Sequence, residues 1–240
     1  MIRKINFSDL FVSDLGWLQS RFHFSFAEYC NPKNMNFGVL RVMNDDIVQP
    51  QNGFGAHPHK DMEIFSYVLA GELSHSDSMG NEETLLRGDM QYMSAGTGVV
   101  HSEMNGSRNE AARFIQTWIL PRQKRLSPNY GSRRFTRADR LNRWLHLLGD
   151  ADVSDSGAAV GIHQDANAYV SELEDGQSLR YELQAGRQAY LKVLEGDIAL
   201  GDLALGHGDA AEIRDAPIEL TARSAAHIML IEMSADVADD

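Results

Sequence analysis

The chain is poor in several things that would direct it to particular roles. Among its 240 residues there is one cysteine, Cys30. That excludes an internal disulfide framework and any iron–sulfur cluster held by thiolates, and it fits a reducing compartment. Cys30 itself reads as a small buried apolar residue rather than a reactive thiol. No segment approaches 18 consecutive apolar residues, and the opening MIRKINFSDLFVSDLGW has no sustained apolar run before a small-residue cleavage site. The expectation is therefore a cytoplasmic protein without a membrane span. Positive charge is also short: the formal net charge is -12. Nonspecific nucleic-acid binding, which draws its affinity from cations neutralising phosphates, is not expected. Long amphipathic helices are missing as well.

What is present is short strand-like segments and a repeat. Glu63 to Leu69, Tyr190 to Leu194 and Ile218 to Ala222 are set off by Gly, Asn, Asp and Ser and read as β-strands. Phe7 to Leu18 and Asn34 to Asp45 mix signals and read as irregular or short strand. Val68-Leu69-Ala70-Gly71-Glu72-Leu73 returns as Val193-Leu194-Glu195-Gly196-Asp197-Ile198, and Gly88-Asp89 is matched by Gly208-Asp209. Two similar all-β halves are implied, each a sandwich or jelly roll. Between them, from Pro121 to Arg143, eight of the 22 basic residues stand against one acid, Asp139. This stretch reads as a connector whose arginines pair with carboxylates on the two bodies, with a docking patch for a protein partner as the alternative. The expected division is 1–122, a connector 123–143, and 144–240, with Leu141 to Leu148 opening the second half.

The chemistry sits in the first half. On a strand, residues i and i+2 share a face and stand roughly 6 to 7 Å apart, so His57-Pro58-His59 and His101-Ser102-Glu103 each present two metal-binding side chains. Two such strands side by side make a four-ligand pocket of His57, His59, His101 and Glu103. Three imidazoles and one carboxylate suit Fe(II), Mn, Ni, Cu or Zn, whereas calcium or magnesium would need more oxygens. Glu63 reads either as a carboxylate that orients a ligand histidine or as an exposed strand residue; His75 and Asp77 read as surface. In the second half the positions matching His57 and His59 are Glu182 and Gln184, the stretch Thr221 to Arg223 that should echo HSE has no histidine, and His146, His163, His207 and His227 have no ligand spacing. That half is expected to bind no metal and to act as wall and lid of a pocket opening near the interface.

HPHKDME, followed by GDMQYMSAGTGVVHSEMN, resembles the two motifs of the cupin superfamily. Glu63 comes three residues after the second histidine instead of four, and two extra residues without a proline precede His101. Those departures, with HSEM after AGxGxxH, the WILP at Trp118 to Pro121, the SPNYGSRRF at Ser127 to Phe135, Leu15-Gly16-Trp17 and Phe24-Ser25-Phe26, resemble bacterial pirin-like proteins of the quercetinase type from about residue 15 to residue 233. The resemblance implies a bicupin, two tandem jelly-roll barrels, with one divalent ion, Fe(II) first among the candidates, on His57, His59, His101 and Glu103. It implies oxygen-dependent cleavage of flavonols such as quercetin. Glu103, as a carboxylate ligand, would also be the base that takes the substrate's hydroxyl proton. The competing expectation is a noncatalytic iron-binding redox sensor that docks on a partner. A cupin isomerase of sugar phosphates would need a cationic phosphate clamp that Lys60 alone does not supply.

Overall fold

The computed structural model describes residues 1–236. In chain order the strands are β1 (Ile2–Ile5), β2 (Phe11–Asp14), β3 (Leu18–Phe22), β4 (Leu40–Val48), β5 (Gly53–His59), β6 (Glu63–Ala70), β7 (Glu72–Asp77), β8 (Glu82–Leu86), β9 (Met90–Ser94), β10 (Val99–Met104), β11 (Ala112–Ile119) and β12 (Asn129–Arg133). After the one-turn helix α1 (Arg137–Arg140) come β13 (Leu145–Asp150), β14 (Val160–Ile162), β15 (Ala166–Leu173), β16 (Ser178–Tyr181), β17 (Arg187–Glu195), β18 (Ile198–Leu200), β19 (Leu203–Leu205), β20 (Ala210–Arg214), β21 (Ile218–Ala222) and β22 (Ala226–Ser234). They form two equivalent sandwiches. The first pairs a seven-stranded sheet, β12-β9-β6-β11-β4-β3-β2, with a four-stranded sheet, β5-β10-β7-β8. The second pairs β1-β20-β17-β22-β15-β13-β14 with β16-β21-β18-β19. The fold is the expected all-β bicupin. No described helix is long and apolar enough to cross a membrane.

The repeat is structural. Gly71 and Gly196 both sit at the corner where the chain leaves the large sheet for the small one, at φ 67° and 77°. A Cβ on either would meet a backbone carbonyl, that of Ala111 at 2.5 Å or of Ala225 at 2.1 Å, so both corners demand glycine. The same pair of backbone bonds closes each turn that follows: Gly88 N to Val68 O at 2.8 Å and Gly208 N to Val193 O at 2.9 Å.

The two large sheets pack against each other, and this explains the near-continuous apolar runs. On β6, Phe65, Tyr67 and Leu69 join the core shared with the second half, while Ile64 and Val68 face their own barrel. On β17, Tyr190 and Leu194 join that shared core and Leu191 and Val193 fill the second barrel. Strands buried on both faces lose the simple in–out alternation of an exposed sheet. Asp45 is well partnered in this interface, taking two hydrogen bonds from Arg113 at 2.8 Å and an ion pair from the wholly buried Lys192 at 3.3 Å. The cation partners outweigh burial and hold the Asp45 carboxyl well below the usual carboxylate range.

Three expectations need correction. Residues 2–5 lie in the second half's sheet, where β1 pairs with β20 (Ile2 opposite Ile213), because that edge would otherwise be unpaired. The stretch 123–143 is not only a connector, since β12 is the edge strand of the first large sheet, Tyr130 opposite Met93. Cys30 is exposed rather than buried.

The connector arginines are unequal. Arg140 is 3% exposed, lies against Gly88 of the first half and binds Glu172 of the second at 2.9 Å, with Arg137 on the same carboxylate at 2.9 Å. Arg134 reaches Glu83 only at 3.8 Å, and Arg133 is exposed, donating to the Ser132 carbonyl. Removing one partner of a buried pair strands the other. Arg140→Ala should therefore lower unfolding stability by about 3 kcal/mol, whereas Arg133→Ala should leave it within about 0.5 kcal/mol of the parent; urea unfolding followed by circular dichroism checks both.

Candidate metal centre

Strand geometry assembles the histidines. β5 and β10 are antiparallel neighbours with His101 directly opposite His57 and Val99 opposite His59. The ligand-capable nitrogens of His57, His59 and His101 all lie within 4.8 Å of one another. The Gly55 carbonyl accepts a hydrogen bond from His57 Nδ1 at 2.7 Å, which fixes the tautomer and leaves Nε2 as a lone pair. That Nε2 faces His101 Nε2 at 3.1 Å, and two such nitrogens converge favourably around a shared cation. Burial, then the neighbouring imidazoles, lowers the ring of His101 to about 3; burial and His57 lower that of His59 to about 4. Both are neutral, the state that binds metal. The donor set fits a divalent transition-metal ion.

Glu103 is placed differently from its neighbours. The register of β10 shifts between His101 and Glu103, so Glu103 lies opposite Phe54. Its carboxylate, 2% exposed, is held inside the barrel: Oε1 accepts from Ser66 Oγ at 3.0 Å and from Gln91 Nε2, and Oε2 accepts from Gln116 Nε2 at 2.7 Å. Burial raises its pKa above the usual range despite these bonds. The histidines thus come together as a cluster of three, with Glu103 on the wall of the same cavity.

Glu63 is buried, not exposed, and its partners are Tyr92 Oη, Ser94 Oγ at 2.6 Å and the backbone N–H of His163 in the second half at 3.2 Å. Among the described residues it bonds no imidazole, so it ties the halves together. His75 is also inside, contrary to the surface reading. It is 3% exposed, with Nε2 bonded to Asp77 at 3.0 Å, its ring stacked on Tyr130 at 4.2 Å and lying 5.4 Å from that of His101.

A cavity of about 350 Å³ opens beside the histidines, lined by Trp17, Phe22, Phe26, Phe54 and Trp118 and by Asn44 and Asp46. Its volume falls in the range of small-molecule sites. Every lining residue lies between Ser13 and Trp118, so the pocket is built by the first half alone and the second is not its lid. Sequence reasoning missed Ser66, Gln91 and Gln116. The available signal was an uncharged polar side chain inside each of three largely apolar strands, Ser66 in β6, Gln91 in β9 and Gln116 in β11.

Known proteins resemble this arrangement. Residues 5–119 match the family described as Pirin, and residues 153–233 the one described as quercetinase C-terminal cupin domain. The Pirin-like protein of Caulobacter vibrioides is 39% identical over 233 residues, spanning 97% of this chain and 99% of its own. The chain belongs to the pirin family. Quercetin 2,3-dioxygenase of Escherichia coli K12 is 39% identical over 220 residues, covering 91% of this chain and 92% of the relative. The bacterial pirin YhhW of Escherichia coli, solved in complex with nickel(II), superposes with a TM-score of 0.90 at 35% identity over 98% of this chain and 99% of that one.

Within this pirin the repeat shows what the second barrel has given up. In the first half Ser66 is opposite both Gln91 and Gln116; at the equivalent register Leu191 is opposite Ala211 and Leu230. Glu103 opposite His75 becomes Leu220 opposite Leu200. The echo of HSE thus starts at Ile218 rather than within Thr221 to Arg223, and its buried positions, Ile218 and Leu220, are aliphatic.

Two outcomes follow. Protein purified without chelator should hold one equivalent of metal, and replacing His57 and His101 together by alanine should abolish it, as read by elemental analysis. Asp46 is raised from 3.8 to about 8, chiefly by burial and with help from Asp45 and Glu103. A carboxyl raised in the fold favours folding fully below pH 4 and loses that contribution as pH climbs toward 8, because the unfolded chain ionises first. In metal-free protein Asp46→Asn should match the parent at pH 4 and exceed it by about 1 kcal/mol or more at pH 8 in thermal melts.

Proposed function

We propose that this pirin is a metal-dependent dioxygenase that cleaves flavonols such as quercetin, with His57, His59, His101 and Glu103 holding one ion, Fe(II) by preference. The observation that carries the reading is the junction of three converging imidazoles with an aromatic-walled cavity in which a buried carboxyl group has a raised pKa. When bound, the ion supplies a Lewis acid that lowers the pKa of the substrate's 3-hydroxyl beside its 4-carbonyl, in preparation for dioxygen addition and loss of carbon monoxide.

The protein's own groups do the rest. Trp17, Phe22, Phe54 and Trp118 offer flat apolar surface to fused rings and exclude water. Glu103 is the base: its raised pKa suits a group that must take up a proton, and the donors from Ser66, Gln91 and Gln116 steady it while its charge changes. Trp118 meets the edge of the His59 ring at 4.8 Å and limits its rotation. The docking alternative through the connector loses Arg137 and Arg140, since both are already bound to Glu172.

Oxygen consumption by iron-loaded protein with quercetin tests the activity. Glu103→Gln should keep most of the metal and lower turnover by ~10² to 10⁴. Parent-like turnover by a metal-replete Gln variant would leave Glu103 as a ligand only.

A further inference from the structure

The cavity contains polar groups that neither the metal nor the fold employs. Across the first large sheet, Gln91, Ser66, Gln116, Asn44 and Phe22 stand side by side on the barrel face, each directly opposite the next. The first three are consumed by one another and by Glu103. Asn44 continues the row, is 3% exposed, lines the cavity, and its Oδ1 is buried without a hydrogen-bond partner. Two residues on and on the same face, Asp46 is bonded by Ser20 Oγ alone. Trp118 Nε1, also in the cavity wall, is a second buried group without a partner. Buried carboxamides and indole nitrogens are nearly always satisfied, so two idle groups on one cavity wall, together with a carboxyl that has a single donor, call for a ligand.

The second barrel acts as an internal control. The partner of Leu230 that corresponds to Asn44 is Tyr169, whose ring packs with those of Tyr181 at 5.2 Å and Trp144 at 6.2 Å, filling the space. The counterpart of Asp46 is Ser171, bonded to the Arg140 carbonyl at 3.3 Å. Idle polar groups and a cavity occur together in the half that carries the three histidines.

We infer that Asn44, Asp46 and Trp118 Nε1 form a hydroxyl-recognition subsite that selects planar aromatic substrates bearing phenolic hydroxyls over analogues lacking them. A carboxamide both donates and accepts, the indole N–H donates, and a carboxyl group accepts; a ring hydroxyl is complementary to all three. The surrounding Trp17, Phe22 and Phe54 demand a flat apolar body. A site built to bond a hydroxyl rejects the analogue without it far more strongly than an apolar site rejects the hydroxyl, because the buried groups stay unpaired. The inference rests on the flavonol reading for its choice of probe, but not on catalysis.

Calorimetric titration of metal-free protein with quercetin and with 3-hydroxyflavone, which keeps the fused rings and the 3-hydroxyl but lacks the other hydroxyls, tests it. The parent should bind quercetin at least tenfold tighter. Asn44→Leu, close in volume, should erase most of that preference by weakening quercetin and not 3-hydroxyflavone; Asn44→Ala serves the same purpose if the leucine variant does not fold. A parent that binds the two alike or binds neither, or Asn44 variants that keep the parent's preference, overturns the subsite. Oxygen uptake by iron-loaded parent separates the two ideas: selective binding without uptake ends the dioxygenase reading and leaves the subsite, while uptake with equal affinities does the reverse.

Discussion

A carboxyl group inside a barrel must be bonded from several sides to be tolerated there, and the first half of this pirin keeps Glu103 in that position. Satisfying one carboxylate requires donors on three different strands at matched register, which is why Ser66, Gln91 and Gln116 interrupt otherwise apolar segments. Once that row exists, the interior cannot close over with aliphatic side chains. The aliphatic core of the first barrel is confined to two small clusters around Val68 and Met93.

The second barrel shows the same scaffold without that constraint. Leucine, alanine and isoleucine occupy the matching registers, and the interior becomes one continuous cluster from Leu173 to Leu230. Since each buried aliphatic side chain contributes on the order of 1.5 to 3 kcal/mol, the filled barrel supplies cohesion that the hollow one forgoes. The two large sheets share one apolar core, so this cohesion reaches the metal-bearing half through Phe65, Tyr67 and Leu69.

Much of this was readable in the chain. Alternating His57 and His59, the downstream His101, and the glycine corners at 71 and 196 are local features, and local periodicity survives folding. What escaped depends on register between distant strands. His75 looks like a surface residue because only pairing with β10 brings it behind His101. Asn44 and Asp46 lie in a stretch whose alternation is hidden because its other face carries Met43 and Asp45 into the interface between halves. Arg140 is indistinguishable in sequence from Arg133; only Glu172 and Gly88, one on each side, bury it. The pocket's independence of the second half was likewise invisible, since the lining comes from segments spread between residues 13 and 118.

The pairing of β1 with β20 has a consequence for how the molecule is made. Arg3 and Glu212, bonded across that ladder, are 209 residues apart. On a ribosome adding about 5–20 residues per second, the first strand waits roughly 10 to 40 s before its partner exists. The metal-bearing barrel can close during that interval, but the segment that precedes it cannot settle. The second large sheet therefore draws Ile2–Ile5 across to itself, and that edge can close only after every strand from β2 to β19 has been made.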